Sequence, residues 1–259
     1  MTVARNPFAF VTGTSSGIGE ALVRELLRRE WRVVGAARRA AAISDPRYTH
    51  LRLDLADLAT LAATLDRDVR PLLAGAAMGR LALVNNAALE ALLGPIERLD
   101  ASALPAIFAV NTAAPILLMG WFQRHARAGQ PLRIVNVSTG AAVTPLPGLG
   151  AYGTTKAALR MAGMILATEL DAAGAKAGPD TSILSYEPGL VDTPMQTAVR
   201  DSSSEIVPIV QMFKDWAAAG ALVPPALPAA EIADYLEADG HDRWEERRLT
   251  PPPTGDRPA

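Results

Sequence analysis

Short β-branched runs alternate with Ala/Leu-rich stretches of helical length along most of this chain, and no other feature restricts its fold as tightly. FAFV, WRVVGAA and LRIVNV are apolar almost without interruption, as strands are when both faces of a sheet are buried. The spacing predicts strands at Ala9–Thr12, Arg32–Ala37, Thr49–Leu53, Leu81–Asn85, Leu132–Ser138 and Thr181–Tyr186. Helices are expected between them at about Gly17–Arg29, Ala59–Leu73, Ala101–Arg127 and Tyr152–Ala173. Repeated strand, helix, strand requires right-handed crossovers, so the fold class is α/β, a doubly wound parallel sheet covered on both faces. With 259 residues, 49% of them hydrophobic, a single domain over residues 1–249 buries a sufficient core. Residues 250–259, dominated by proline, read as a flexible tail.

Charge removes several kinds of partner. Lys and Arg number 25 against 27 Asp and Glu, and no basic cluster exceeds two residues, so neither a nucleic acid nor an anionic membrane surface is expected. Zero cysteines exclude disulfides, thiolate metal sites and a cysteine nucleophile; no metal is assigned. The opening MTVARNPFAFVTG has no apolar run of signal-peptide length, and cytoplasmic placement is the expectation. Ala101 to Gln123 carries no charge and is long enough to span a bilayer. Pro105, Asn111, Thr112 and Pro115 within it point instead to a buried or interface helix broken near its middle.

TGTSSGIG, Thr12 to Gly19, follows the first strand directly and opens the first helix. Gly13 permits a sharp turn, Gly17 lets the backbone approach a pyrophosphate and Gly19 lets the helix pack on the sheet; Ser15, Ser16 and Ile18 complete a helix N-terminus whose amides would meet phosphates. The second strand then discriminates between dinucleotides. It ends in Ala37 where an acid would pair with ribose hydroxyls, and Arg38 and Arg39 follow, which suits a 2′-phosphate and hence NADP(H). Asp54 and Leu55, after the third strand, are placed to border the adenine.

Chemistry enters with Ser138 at a strand end and with Tyr152-Gly-Thr-Thr-Lys156 at the start of the helix that follows. Spacing i, i+4 puts Tyr152 and Lys156 on one helix face. A free tyrosine titrates near about 10, and an adjacent ammonium lowers that value, making Tyr152 a general acid for carbonyl reduction. Ser138 would hydrogen-bond the substrate carbonyl.

TGTSSGIG, the LDL at 53–55, NNAA at 85–88, Asn111, Ser138, YGTTK and EPGLVDT at 187–193 together resemble the short-chain dehydrogenase/reductase family over nearly the whole chain. The resemblance implies a Rossmann-like fold with Asn111 as a fourth catalytic member, distorting its helix and holding a water that links Lys156 to bulk. It also implies that Lys156 and Tyr152 contact the nicotinamide ribose, that Asn86 and Ala87 flank the cofactor, and that Pro188, Gly189, Val191 and Thr193 fix the carboxamide face. Ala88 departs from the glycine expected in NNAG. VDTPMQTAVRDSSSE and FKDWAAAGALVPP resemble the sepiapterin reductase and bacterial benzil reductase branch. Thr193 to Val223 would then be a substrate lid, with Met195, Met212, Phe213 and Trp216 as an apolar wall. After Gly240 the sequence HDRWEERRL leaves the last strand either short and polar or missing, and supplies no acidic pterin anchor.

The implied activity is NADP(H)-dependent reduction of a small-molecule ketone or 1,2-dicarbonyl. Secondary-alcohol oxidation, pteridine reduction and a non-catalytic nucleotide-binding regulator remain as alternatives. A homodimer is expected through the helices at Ala101–Arg127 and Tyr152–Ala173, because the first is apolar all round and needs a second covering surface, with Leu159, Met164 and Ile165 of the other filling the gaps.

Overall fold

The computed structural model describes residues 6–74, 78–89, 93–174 and 178–249; the expected tail at 250–259 lies outside them. Among the described residues there are seven strands: β1 Asn6–Thr12, β2 Arg32–Ala37, β3 Tyr48–Arg52, β4 Met78–Asn85, β5 Pro131–Val137, β6 Asp180–Glu187 and β7 Trp244–Arg248. They form one parallel sheet in the order β3-β2-β1-β4-β5-β6-β7, which reverses direction between β1 and β4. A crevice opens at the carboxyl ends of the strands at such a reversal.

Strict alternation along β1 divides the interior. Phe8 and Phe10 enter one core with Leu81, Leu83, Leu132, Ile134, Trp121 and Phe122. Ala9 and Val11 enter the other with Leu22, Trp31, Val135, Ile232 and Tyr235. The first core is covered by α2 Leu58–Thr64, α3 Arg70–Ala74, α5 Ala114–His125 and α6 Gly150–Ala173, while α4 Leu104–Phe108 packs its Ile107 on Ala151 of α6; the second is covered by α1 Gly17–Arg28 and α9 Ala226–Glu237. Between β6 and α9 lie α7 Pro194–Arg200 and α8 Val210–Ala218, the expected lid. They enclose a separate apolar cluster of Val199, Val207, Val210 and Phe213 against Leu149.

The uncharged stretch is interrupted as its prolines required. A π-helical turn, Ala109–Ala113, separates α4 from α5. Pro115 has no N–H, so the Asn111 carbonyl is denied the α-helical donor four residues on, and the helix widens there. Leu104–His125 is long and apolar enough to cross a bilayer, with mean hydropathy 1.5, yet Ile107, Leu118, Trp121 and Phe122 are spent on the core.

Two expectations are corrected or resolved. Leu159 does not face outward: it is 2% exposed in the core, and the outward residues of α6 are Met161 and Ile165, about half exposed, with Met164 partly buried between them. The last strand exists, and it is short and polar. β7 pairs with β6, charges fill its exposed positions, and its Trp244 packs on Gly163, where any Cβ would stand 2.5 Å from the indole.

Candidate active site

The crevice at the β1/β4 reversal is a cleft of about 850 Å³, a volume suited to a cofactor and a small substrate. Its floor is the turn after β1. Gly13 and Gly17 take positive φ, 73° and 60°, which only glycine adopts without strain. Thr12 and Asn86 hold this turn against the end of β4. The Thr12 hydroxyl accepts the Asn86 and Ala87 amides, both at 3.0 Å, and the Asn86 amide group donates to the carbonyls of Thr12 and Gly13 at 2.9 and 3.2 Å.

Gly13, Ser15, Ser16, Gly17, Ile18, Arg38, Arg39, Asp54, Leu55, Asn86, Ala87, Pro188, Gly189, Val191 and Thr193 all line the cleft, together with Ser138, Tyr152 and Lys156. Gly19 and Asn111 do not. Gly19 is buried beneath the turn, where a Cβ would collide with the Gly13 carbonyl oxygen and stand 2.5 Å from Asn86 Nδ2. Its part is to let α1 approach, not to touch a ligand.

A dinucleotide fits these residues. Ser16 caps α1 without a side-chain hydrogen bond, leaving first-turn amides open toward the cleft, as an anion requires. A Cβ on Gly17 would lie 3.3 Å from Thr193 Cγ2, so glycine keeps the space between the turn and the β6–α7 loop clear. At the far end Ala37 is buried, and Arg38 and Arg39 are exposed. Asp54 spends one carboxylate oxygen on the Ala56 amide at 3.0 Å.

At the other end α6 presents Tyr152 and Lys156 one turn apart, with Lys156 Nζ 5.9 Å from the Tyr152 ring centroid. Lys156 is 2% exposed and donates to the Val137 carbonyl at 2.7 Å, next to Ser138. Burial without a carboxylate partner pushes its ammonium down to about 8. At neutral pH it is still mainly charged and able to favour the phenolate of Tyr152. Asn111, fully buried in the π-turn, accepts the Leu89 amide at 2.7 Å and donates to the Leu89 carbonyl at 2.8 Å and to Thr155 Oγ1 at 3.1 Å. Thr155 precedes Lys156, so Asn111 ties the segment after β4 to the Tyr152–Lys156 turn of α6.

The depressed lysine predicts how stability depends on pH. Below pH 8 Lys156 is protonated in both folded and unfolded chains, and folding bears the whole cost of burying the cation, about 3 kcal/mol. Between pH 8 and the ordinary value of 10.5 the folded chain gives up its proton first and that cost fades. Urea unfolding should therefore show the parent gaining on Lys156→Met as pH rises from 8 to 10. A difference that stays flat across this range contradicts the burial argument.

Met195, Phe213 and Trp216 line the cleft, whereas Met212 packs against the cluster of α7 and α8. The sequence reading missed Leu146, Leu149, Val199, Gln196, Glu187 and Arg248, which also line the cleft. Glu187 stood in the recognised EPG run, but nothing there revealed that its side chain faces the cleft; Arg248 had no signal at all.

Fold and cleft together define a dinucleotide-binding oxidoreductase. A model of the short chain dehydrogenase family matches residues 7–204, and the chain belongs to that family, whose members use NAD(P)(H). It is 29% identical over 250 residues to a benzil reductase ((S)-benzoin forming) of Bacillus cereus, covering 93% of this chain and 98% of the relative. To the sepiapterin reductase of Meriones unguiculatus it is 30% identical over 250 residues, covering 88% and 90%. The crystal structure of the KRED1-Pglu enzyme matches with a TM-score of 0.76 at 25% identity, covering 93% of this chain and all of that one.

Proposed function

We propose that this chain is an NADP(H)-dependent carbonyl reductase acting on a ketone or 1,2-dicarbonyl. The observation that carries this reading is the convergence of Ser138, Tyr152 and a buried, cationic Lys156 on the apolar end of a dinucleotide cleft. When bound, the nicotinamide supplies the hydride that reduces the carbonyl carbon. Tyr152 donates the proton to the carbonyl oxygen, Lys156 holds positive charge beside the phenolate that results, and the Ser138 hydroxyl orients the carbonyl. Phe213 and Trp216, edge to face at 5.3 Å, give this end of the cleft an apolar wall. The benzil and sepiapterin relatives are reductases, which favours this direction. Turnover of a panel of aryl ketones and 1,2-diketones, followed by NADPH absorbance, tests the reading; no consumption with any of them rejects it.

NADP(H) is favoured over NAD(H) by Arg38 and Arg39 at the cleft and by the absence of a carboxylate at position 37. Ala37→Asp with Arg38→Leu should reverse the preference, shifting the NADPH to NADH ratio of kcat/KM by at least about a hundredfold, since a repelling carboxylate replaces a charge-assisted hydrogen bond. A parent enzyme that already uses both equally removes the argument.

We also propose that the chain works as a cytosolic homodimer. Phe108, Ile116 and Leu117 of α4 and α5 are 37%, 42% and 46% exposed, and Met161 and Ile165 of α6 are 51% and 50% exposed. These helices supply a face that a second copy would cover. Ile116→Glu with Ile165→Glu should convert the dimer to a folded monomer in light scattering; an unchanged mass moves the interface elsewhere.

A further inference from the structure

Val137 of β5 pairs with Tyr186 of β6, and Glu187 of β6 pairs with Arg248 of β7. The ladder continues one residue beyond β5, where the Ser138 amide donates to the Tyr186 carbonyl at 2.7 Å. Ser138, Glu187 and Arg248 thus stand in one row across the carboxyl edge of the sheet, and all three line the cleft. Strands lie about 4.8 Å apart, so the row carries the backbone about 10 Å from Ser138 to Arg248.

Arg248 Nη2 is 3.2 Å from Glu187 Oε1, and that same oxygen is 3.0 Å from where a Cβ on Gly140 would stand. The arginine side chain is 74% exposed and the glutamate 23%. An ion pair so accessible adds little to stability, so stability is a poor reason for placing two charges at this edge of the cleft. Leu146, Leu149, Val199, Phe213 and Trp216 form the walls there. Lys156 is buried, with its ammonium on the Val137 carbonyl and beside Tyr152, and Arg38 and Arg39 follow β2, on the opposite side of the sheet reversal. Among the described residues that line this cleft, Arg248 is the guanidinium on the Ser138 side of the reversal that an anion on the substrate can meet.

We propose that Arg248 determines specificity for a carbonyl substrate carrying a carboxylate several bonds from the reacting carbonyl. Glu187 is a positioning residue: it holds one edge of the guanidinium and leaves its other donors for a charge-assisted, forked contact with the substrate. The inference rests on the carbonyl reductase reading, to which it adds a substrate class.

The probe is benzoylpropionate, an aryl ketone with a terminal carboxylate, compared with its methyl ester. The parent should favour the acid by about tenfold in kcat/KM, the size of one good charged contact. Arg248→Leu should raise KM for the acid by about tenfold while kcat and both constants for the ester stay within about twofold. Glu187→Gln should raise KM for the acid less, by about threefold, with kcat unchanged. Calorimetric binding of the acid to the NADP-loaded protein reads the same contrast without turnover. Equal or ester-favouring activity in the parent, or an Arg248→Leu effect shared by both compounds, overturns the proposal. If the ester is reduced but Arg248→Leu moves nothing, the substrate class fails and the reductase reading stands. If the acid binds through Arg248 and neither compound is reduced, the anion site stands and the reductase reading fails.

Discussion

Tyr152→Phe is expected to lower kcat for carbonyl reduction by at least about a hundredfold, the lower range of what a positioned general acid contributes. The substitution removes one hydroxyl and keeps the ring. Because the phenol ring lines the cleft with Lys156 Nζ 5.9 Å from its centroid, ring packing and lysine position should both survive. Nucleotide affinity should then stay within about threefold, the loss of a single neutral hydrogen bond at most. Lys156 is buried and already held by the Val137 carbonyl, so removing the phenol hydroxyl leaves that contact in place. Stopped-flow single turnovers separate the chemical step from product release. A variant whose chemical step runs within a fewfold of the parent would mean that Tyr152 is not the proton donor. A variant that also fails to bind nucleotide would mean that the ring, not the hydroxyl, is what the site needs.

What the chain disclosed before its structure was known follows from the range of the interactions involved. The strands were readable because burial on both faces leaves continuous apolar runs; β2 begins and ends where expected, β1 and β4 end where expected, and the remaining boundaries of the six expected strands shift by one to three residues. The break at Asn111 was readable because Pro115 acts only four residues away, although a π-turn rather than a simple kink resulted. The outward face of α6 was misjudged. Leu159 and Ile165 differ in face by a rotation that the high alanine content of the helix does not mark, and only packing on the sheet reveals which one is buried. Glu187 and Arg248 were invisible for a different reason. They meet through strand register across 61 positions, and a polar edge strand such as WEERR shows no alternation by which register could be inferred. Gly19 is read from its spacing as the glycine that lets the helix pack on the sheet, and the structure distinguishes it from the cleft-lining Gly13 and Gly17 by burying it beneath the turn.

That last distinction has a large consequence. Gly19→Ala should lower stability and nucleotide affinity together, although alanine is ordinarily the better helix residue by about 1 kcal/mol. Gly19 sits buried in the first turn of α1, and the added methyl would meet the Gly13 carbonyl and the Asn86 amide. Neither can yield independently. Asn86 holds the Thr12 and Gly13 carbonyls, Thr12 holds the Asn86 and Ala87 amides, and Gly13 donates its own amide to Ala36 at 2.8 Å. The strain must open the turn or push α1 from the sheet, a cost of about 1–3 kcal/mol that exceeds the helix-propensity gain. Either movement misaligns the open amides at the helix N-terminus, and about 1.4 kcal/mol lost from the phosphate contacts weakens nucleotide binding tenfold. Denaturant unfolding and calorimetric titration with NADPH would record the paired losses. An unchanged unfolding midpoint with normal affinity would show that the sheet and α1 separate at little cost. Weakened binding at full stability would put Gly19 on the ligand's side of the turn.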